Sequence, residues 1–193
     1  PNQSFDFPDP REFDALVAMG APWGAWDDET IGNWLLPEIQ WLREADDLAV
    51  PVFGICFGGQ LLARAHGGSV ARAPRAEIGW TPIWTQEPDL VGSGPWFHWH
   101  YDRWQVPPGA REIARNSIAS QAFVLRRNLA VQFHPEVTAA SLQGWYGNGG
   151  RRLVDADGQD PDVLYQHTLA EGEVSADRAH RLVDAFLEQV ATN

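Results

Sequence analysis

The chain has a single cysteine, Cys56, set in the run Gly54-Ile55-Cys56-Phe57-Gly58. Glycines two before and two after it, between an apolar strand-like run (VPVFGI) and a helix-like run (FGGQLLARAHGG), form a glycine-x-nucleophile-x-glycine elbow with sulfur in place of oxygen. Such an elbow holds the nucleophile in a strained turn, and side chains at the flanking positions would collide with strand and helix. A helix that begins just after Cys56 turns its positive end and free N–H groups toward the sulfur, which favours thiolate and supplies donors to a developing oxyanion. An isolated cysteine is more often a small buried hydrophobe. Here the glycines and the strand-to-helix junction favour a nucleophile.

A thiol nucleophile needs a base, and the base an orienting acid. His66, His98, His100, His134, His167 and His180 compete for the role of base. His134 stands apart because it closes the apolar run LAVQF and precedes Pro135 and Glu136. The end of a strand is where an α/β sheet gathers its reacting groups. Two residues along extended chain the side chains return to the same side, so Glu136 can hold the His134 ring. Taken alone, His-Pro-Glu is more simply a strand terminus with a solvated acid.

Stepping outward, the segment 1–12 is polar and proline-punctuated and reads as a loop, and FDALVAMG reads as a buried strand ending at Gly20. Leu35, Ile39 and Leu42 share one helical face, predicting a helix from Trp34 to Ala45 with Pro37 in its first turn. VPVFGI is a strand buried on both faces, and Gly67 and Gly68 stop the helix that follows it. Between Ser69 and Phe133 the pattern is β-rich and ends in a hairpin turning around Arg127-Asn128. A last helix carries Ala179, Leu182, Val183, Phe186, Leu187 and Val190 behind a cap at Ser175, and residues 144–150 and 155–162 read as loops. The order predicts a three-layer α/β/α, flavodoxin-like fold, mostly parallel with a β-rich insertion, in one domain over residues 1–193.

The net charge of -12, with all fourteen basic residues arginine, provides no basic stripe, so nucleic acid is not an expected partner. No run reaches the roughly 18 to 20 apolar residues of a membrane span. A lone cysteine suits a reducing compartment, and the expected location is the cytoplasm, although a chain that begins at Pro1 leaves any removed targeting segment out of sight. His98, His100 and Asp102 form H-x-H-x-D, which on a strand aligns three metal-ligand types. The surrounding Trp96, Phe97, Trp99, Tyr101 and Trp104 favour an aromatic strand with hydrogen-bonded histidines, so no metal and no cofactor are expected.

Together, GICFGGQLLARAHGG and AVQFHPEVT resemble the two signature blocks of the class I (triad) glutamine amidotransferases, with Cys56 and His134 in that family's order. EIGWTPI, WHYDRWQVPPGA and SQAFVLRRNLAVQFHPEVT resemble its stand-alone, GMP synthase-like branch, and the likeness runs over residues 13–190. The resemblance implies that Cys56 attacks a γ-carboxamide, His134 moves the proton and Glu136 orients His134. It also implies that Gly20-Ala21-Pro22 stands for the family's oxyanion loop, that the amides of Ala21 and Phe57 bind the oxyanion, and that Gln60 helps hold the glutamyl group. Glutamine or another γ-glutamyl compound is the implied ligand. A separate synthase subunit to accept the ammonia and a homodimer are further partners to consider.

Two departures qualify the likeness. Ala21 replaces the second glycine of the loop, and alanine resists a positive φ by roughly 1 kcal/mol. The family's β-α-β unit before the strand at residues 13–19 has no counterpart, which predicts an unpaired sheet edge completed by a missing segment or a partner chain. The rival readings are a cysteine α/β-hydrolase, whose acid precedes its histidine, a γ-glutamyl peptidase with the same triad, and a catalytically silent binding relative.

Overall fold

A computed structural model of the protein describes residues 6–192. Of the expected N-terminal loop, residues 1–5 therefore lie outside the described residues, and Pro10–Glu12 forms a 3-10 turn capped by Asp9. The chain then runs β1 (Leu16–Ala18), α1 (Asp28–Asp47), β2 (Val52–Ile55), α2 (Phe57–Ala65), β3 (Ser69–Thr81), β4 (Trp84–Thr85), β5 (Trp96–Gln105), β6 (Arg111–Arg115), β7 (Ser120–Leu125), β8 (Asn128–Val131), α3 (Ala139–Trp145), α4 (Arg151–Ala156) and α5 (Pro161–Ala185).

Six strands form the main sheet in the order β1-β2-β8-β7-β6-β4, and β3 pairs with β5 in a separate two-stranded sheet. β1, β2 and β8 are mutually parallel, and β8, β7, β6 and β4 continue the sheet antiparallel. The layered α/β architecture expected from the sequence is thus present. Strand β2 is buried at all four positions, as an apolar strand covered on both faces must be. One face packs Leu35, Ile39 and Leu42 of α1 and Leu61 and Leu62 of α2 against Val52 and Ala130. The other packs Leu182, Ala185 and Phe186 against Phe53, Ile55, Leu129 and Val131. β1 lies at the edge of this sheet among the described residues, and its central Val17 is exposed.

Several elements differ from expectation for local reasons. α1 begins at Asp28 instead of Trp34, because Asp27 accepts the Thr30 N–H and Ile31 extends the buried stripe by one turn. Pro37 consequently sits inside the helix and not in its first turn. α5 starts at Pro161, where Asp160 accepts the N–H groups of Asp162 and Val163. Ser175 is therefore an interior helical residue bonded to the Gly172 carbonyl, not a cap, and Val183 and Leu187 face outward. Residues 144–150, expected as a loop, carry the end of α3 and then a non-helical kink at Asn148-Gly149, where Gly149 takes φ 93°, while residues 155–162 bridge the end of α4 to the start of α5. The β7–β8 hairpin pairs Leu125 with Asn128 and turns at Arg126-Arg127, one residue earlier than expected, with Arg126 at φ 52°.

The parallel trio is tied to α1 by one buried side chain. Asn128, fully buried at the start of β8, accepts the Val52 N–H at 3.1 Å and donates to Asp46 at 2.6 Å. Its removal would leave a buried N–H and a largely buried carboxylate short of a partner. Asn128→Ala is expected to destabilise the protein by about 2 to 3 kcal/mol, measured by urea unfolding, whereas a surface change such as Gln40→Ala should shift stability by less than about 0.5 kcal/mol.

Candidate active site

β2 ends at Ile55, α2 begins at Phe57, and Cys56 makes the whole turn between them with φ 51° and ψ -105°. This is a costly conformation for a residue with a Cβ, of order 1 to 3 kcal/mol, and it persists because its neighbours over-determine it. The Cys56 N–H donates to the Val131 carbonyl at 2.8 Å, the Gly58 N–H to the Met19 carbonyl at 3.1 Å, and the Gln60 N–H to the Cys56 carbonyl at 3.0 Å. Gly54 and Gly58 press directly on one another, and a side chain on Gly58 would enter the Ala18 carbonyl. The elbow glycines are thus demanded by the close approach of α2 to β1 and β2. Phe57 opens α2, so its N–H is among the helix's donors without an intrahelical partner.

His134 arrives on the chain that leaves β8. The Gln132 N–H continues the ladder to the Gln121 carbonyl at 2.9 Å, and the His134 N–H turns away to the Phe97 carbonyl at 2.7 Å. Its Nδ1 lies 2.7 Å from Glu136 Oε1, and its other ring nitrogen is left for the side chain of Cys56, which acts on the ring at close range. Trp145 packs edge-on against the His134 ring, with centroids 5.2 Å apart. Burial by itself pushes the His134 pKa down. The negative charge and hydrogen bond of Cys56, and then those of Glu136, outweigh burial and raise it to about 10. The arrangement is that of an imidazolium held between a sulfur and a carboxylate.

The loop after β1 closes over this pair. Gly20 lies so near that a Cβ there would come within 2.8 Å of His134 Cε1 and 3.7 Å of the Cys56 Cβ. Ala21 follows, half-buried against the α1–α2 core, and its φ is outside the left-handed region. The substitution for glycine is therefore unstrained in this conformation.

The structure brings Cys56, His134, Glu136, Gly20, Ala21 and Phe57 to one end of the parallel trio. Gln60 is close by, but its buried amide donates to Gln132 Oε1 at 3.3 Å. Gln132, absent from the sequence-level candidates, is fully buried and directs its Nε2 at Cys56 Sγ across 3.7 Å. Its signal in the sequence was its place two residues before His134. Asp102, the acid of the H-x-H-x-D motif, does not join the two histidines, for its carboxylate accepts from Trp26 Nε1 at 3.0 Å.

Comparison with known proteins agrees with the fold. The family profile described as glutamine amidotransferase class-I matches residues 29–144, and the chain belongs to this family. The glutamine-hydrolyzing GMP synthase of Methylobacillus flagellatus is 36% identical over 147 residues, covering 66% of this chain and 26% of that protein. The chain thus spans about a quarter of the length of such relatives. In Ignicoccus hospitalis the relative is one subunit of a glutamine-hydrolyzing GMP synthase, 32% identical over 139 residues, 67% of this chain and 70% of that one. Among solved structures, a glutamine amidotransferase from Methylobacillus flagellatus superposes with a TM-score of 0.85 at 30% identity, over 96% of this chain and 80% of that one. One from Thermotoga maritima gives 0.84 at 26% identity, over 97% and 83%.

Because the folded-state pKa of His134 lies above its ordinary value, this pairing adds stability that is fully present below about pH 6.5 and is lost as pH rises through about 10. By NMR, the His134 Cε1 proton is expected to hold its imidazolium position up to that range in the wild type. In Cys56→Ala with Glu136→Gln it should titrate lower, since burial alone then remains. A wild-type midpoint near 6.5 would refute the charge pair.

Proposed function

We propose that this chain hydrolyses the γ-carboxamide of glutamine. The observation that carries the reading is the contact of Cys56, held in a strained elbow at a helix N-terminus, with a His134 that is itself bonded to Glu136. In this mechanism the Cys56 sulfur attacks the γ-carbonyl carbon and the electron pair of the C=O moves to oxygen. The N–H of Phe57, with that of Ala21 in the loop opposite, meets the oxyanion. His134 gives its proton to the amide nitrogen, the C–N bond breaks, and ammonia leaves a γ-glutamyl thioester. The ring, now neutral, takes a proton from water as the hydroxide adds to the thioester. Collapse of that second intermediate expels the sulfur and releases glutamate. Glu136 keeps the ring oriented and balances its charge through both halves.

The naming of the Ignicoccus relative as one subunit of its enzyme supports delivery of the ammonia to a separate chain. The intact triad argues against a silent binding relative.

Ammonia release from glutamine is the direct test, with γ-glutamyl amides assayed in parallel. Cys56→Ala is expected to lower turnover by at least about 10⁴-fold and Glu136→Gln by at least about 10²-fold. If no γ-glutamyl substrate is cleaved and a glutamine-mimicking electrophile leaves Cys56 unlabelled, the proposal fails. Ala21→Gly should raise basal turnover by up to about fivefold, the rate equivalent of about 1 kcal/mol, if the loop amide must rotate to face the oxyanion. An unchanged rate would show that the alanine loop already presents its donor.

A further inference from the structure

A second group of chemically capable side chains lies in the two-stranded sheet, apart from the triad. His98 and His100 are two residues apart on β5 and so share one side of it, and Glu77 faces His100 across the pair from β3. All three are buried, at 0, 3 and 6% exposure. His100 Nε2 lies 3.3 Å from Glu77 Oε2 and 3.5 Å from His98 Nδ1, and one ligand atom from each residue falls within 4.8 Å of the others.

The hydrogen positions make this convergence unusual. His100 Nδ1 is 3.0 Å from the Asp102 backbone carbonyl, which only accepts, so Nδ1 carries the hydrogen and a neutral ring has its lone pair on Nε2. That lone pair then faces a carboxylate oxygen and a second imidazole nitrogen. His98 Nδ1 faces His100 Nε2, while its Nε2, where the ring hydrogen sits if Nδ1 carries a lone pair, is buried against the backbone at Thr81. Outer partners are in place. Asn116 Nδ2 donates to Glu77 Oε1 and Gln121 Nε2 to Glu77 Oε2, and Asn116 is itself fixed by the N–H groups of Ile118 and Ala119. An outer carbonyl on a ligating imidazole and outer amides on a carboxylate are the supports that metal ligands characteristically have.

We propose that Glu77, His98 and His100 form a binding site for a borderline divalent ion of the Zn²⁺ class, with Glu77 Oε2, His98 Nδ1 and His100 Nε2 as ligands. Tetrahedral bonds of 2.0 to 2.1 Å place ligand atoms about 3.3 Å apart, which is the spacing of the two observed contacts. Two imidazoles and one carboxylate suit zinc or cobalt and are poor for magnesium or calcium, which take oxygen. The ion would staple β3 to β5 immediately behind the strand end that holds His134, whose N–H is bonded to the residue before His98. Glu77 takes the place that the sequence motif suggested for Asp102. The site is independent of the glutaminase reading.

The test is metal content and Co²⁺ spectroscopy on the full chain, produced in Zn²⁺- or Co²⁺-supplemented medium. The expected result is one equivalent of metal per chain, visible d–d absorption from Co²⁺ without a sulfur charge-transfer band, and both unchanged in Cys56→Ala. His98→Gln and Glu77→Gln should each weaken binding by at least about 10²-fold, and chelation should lower the Tm of the wild type but not of His98→Gln. Substoichiometric metal, binding insensitive to both substitutions, or binding lost in Cys56→Ala would overturn the proposal, the last by assigning the ion to the thiol–imidazole pair. Should either variant fail to fold, X-ray absorption of the Zn²⁺-loaded wild type decides. Two imidazoles with oxygen support the site, and sulfur or oxygen alone refutes it.

Discussion

Everything at the candidate active site depends on one strained residue. Cys56 occupies a backbone region that a residue with a side chain avoids, and nothing local to residues 54–58 stabilises it there. What holds it is the sheet on either side: the Val131 carbonyl of β8 takes its N–H, and the Met19 carbonyl beyond β1 takes that of Gly58. The turn can be this tight only because glycine at positions 54 and 58 lets the first turn of α2 lie against β2 and β1. The strain thus couples three parallel strands to one sulfur, so loss of register in any of them would move the nucleophile.

The second constraint is charge. His134 is nearly inaccessible, and an imidazolium in such a place is unfavourable unless anions flank it. The Glu136 carboxylate bonds it on one side and the Cys56 sulfur lies on the other, and Gly20 leaves just enough room for the ring between the loop and the elbow. A protonated base next to the sulfur is placed to act as the acid of the proposed hydrolysis, so the pairing that stabilises the buried ring would serve that reaction too. Gln132 extends this network behind the sulfur, linking it to Gln60 and through it to the body of α2.

Much of the fold was legible because periodicity and glycine spacing report short-range physics. VPVFGI could only be a strand covered on both faces, and Cys56 between two glycines could be recognised as an elbow without any coordinates. Element boundaries were less legible. α1 begins six residues before the expected start because Asp27 caps it and burial of Ile31 outweighs the interior proline, a balance set by the sheet beneath the helix. Ser175 looked like a cap because its chemistry suits one, yet Asp160 caps the helix fifteen residues earlier.

The sequence by itself determined the chemistry on offer: one nucleophile, a histidine with an acid two residues on, and a pair of histidines sharing one side of a strand. Those are properties of residue type and of the two- and four-residue repeats of the backbone, which hold before any packing occurs. Only the tertiary structure decided which groups meet. Glu77, twenty-one residues from His98, displaces Asp102 as its neighbour through the antiparallel register of β3 and β5, and Gln121 joins from β7 and Asn116 from the turn after β6. Likewise the fit of Gly20 against His134 links residues more than a hundred positions apart. Such contacts arise from strand order and register, which minimise the free energy of the whole core and leave no trace in the spacing of the residues they unite.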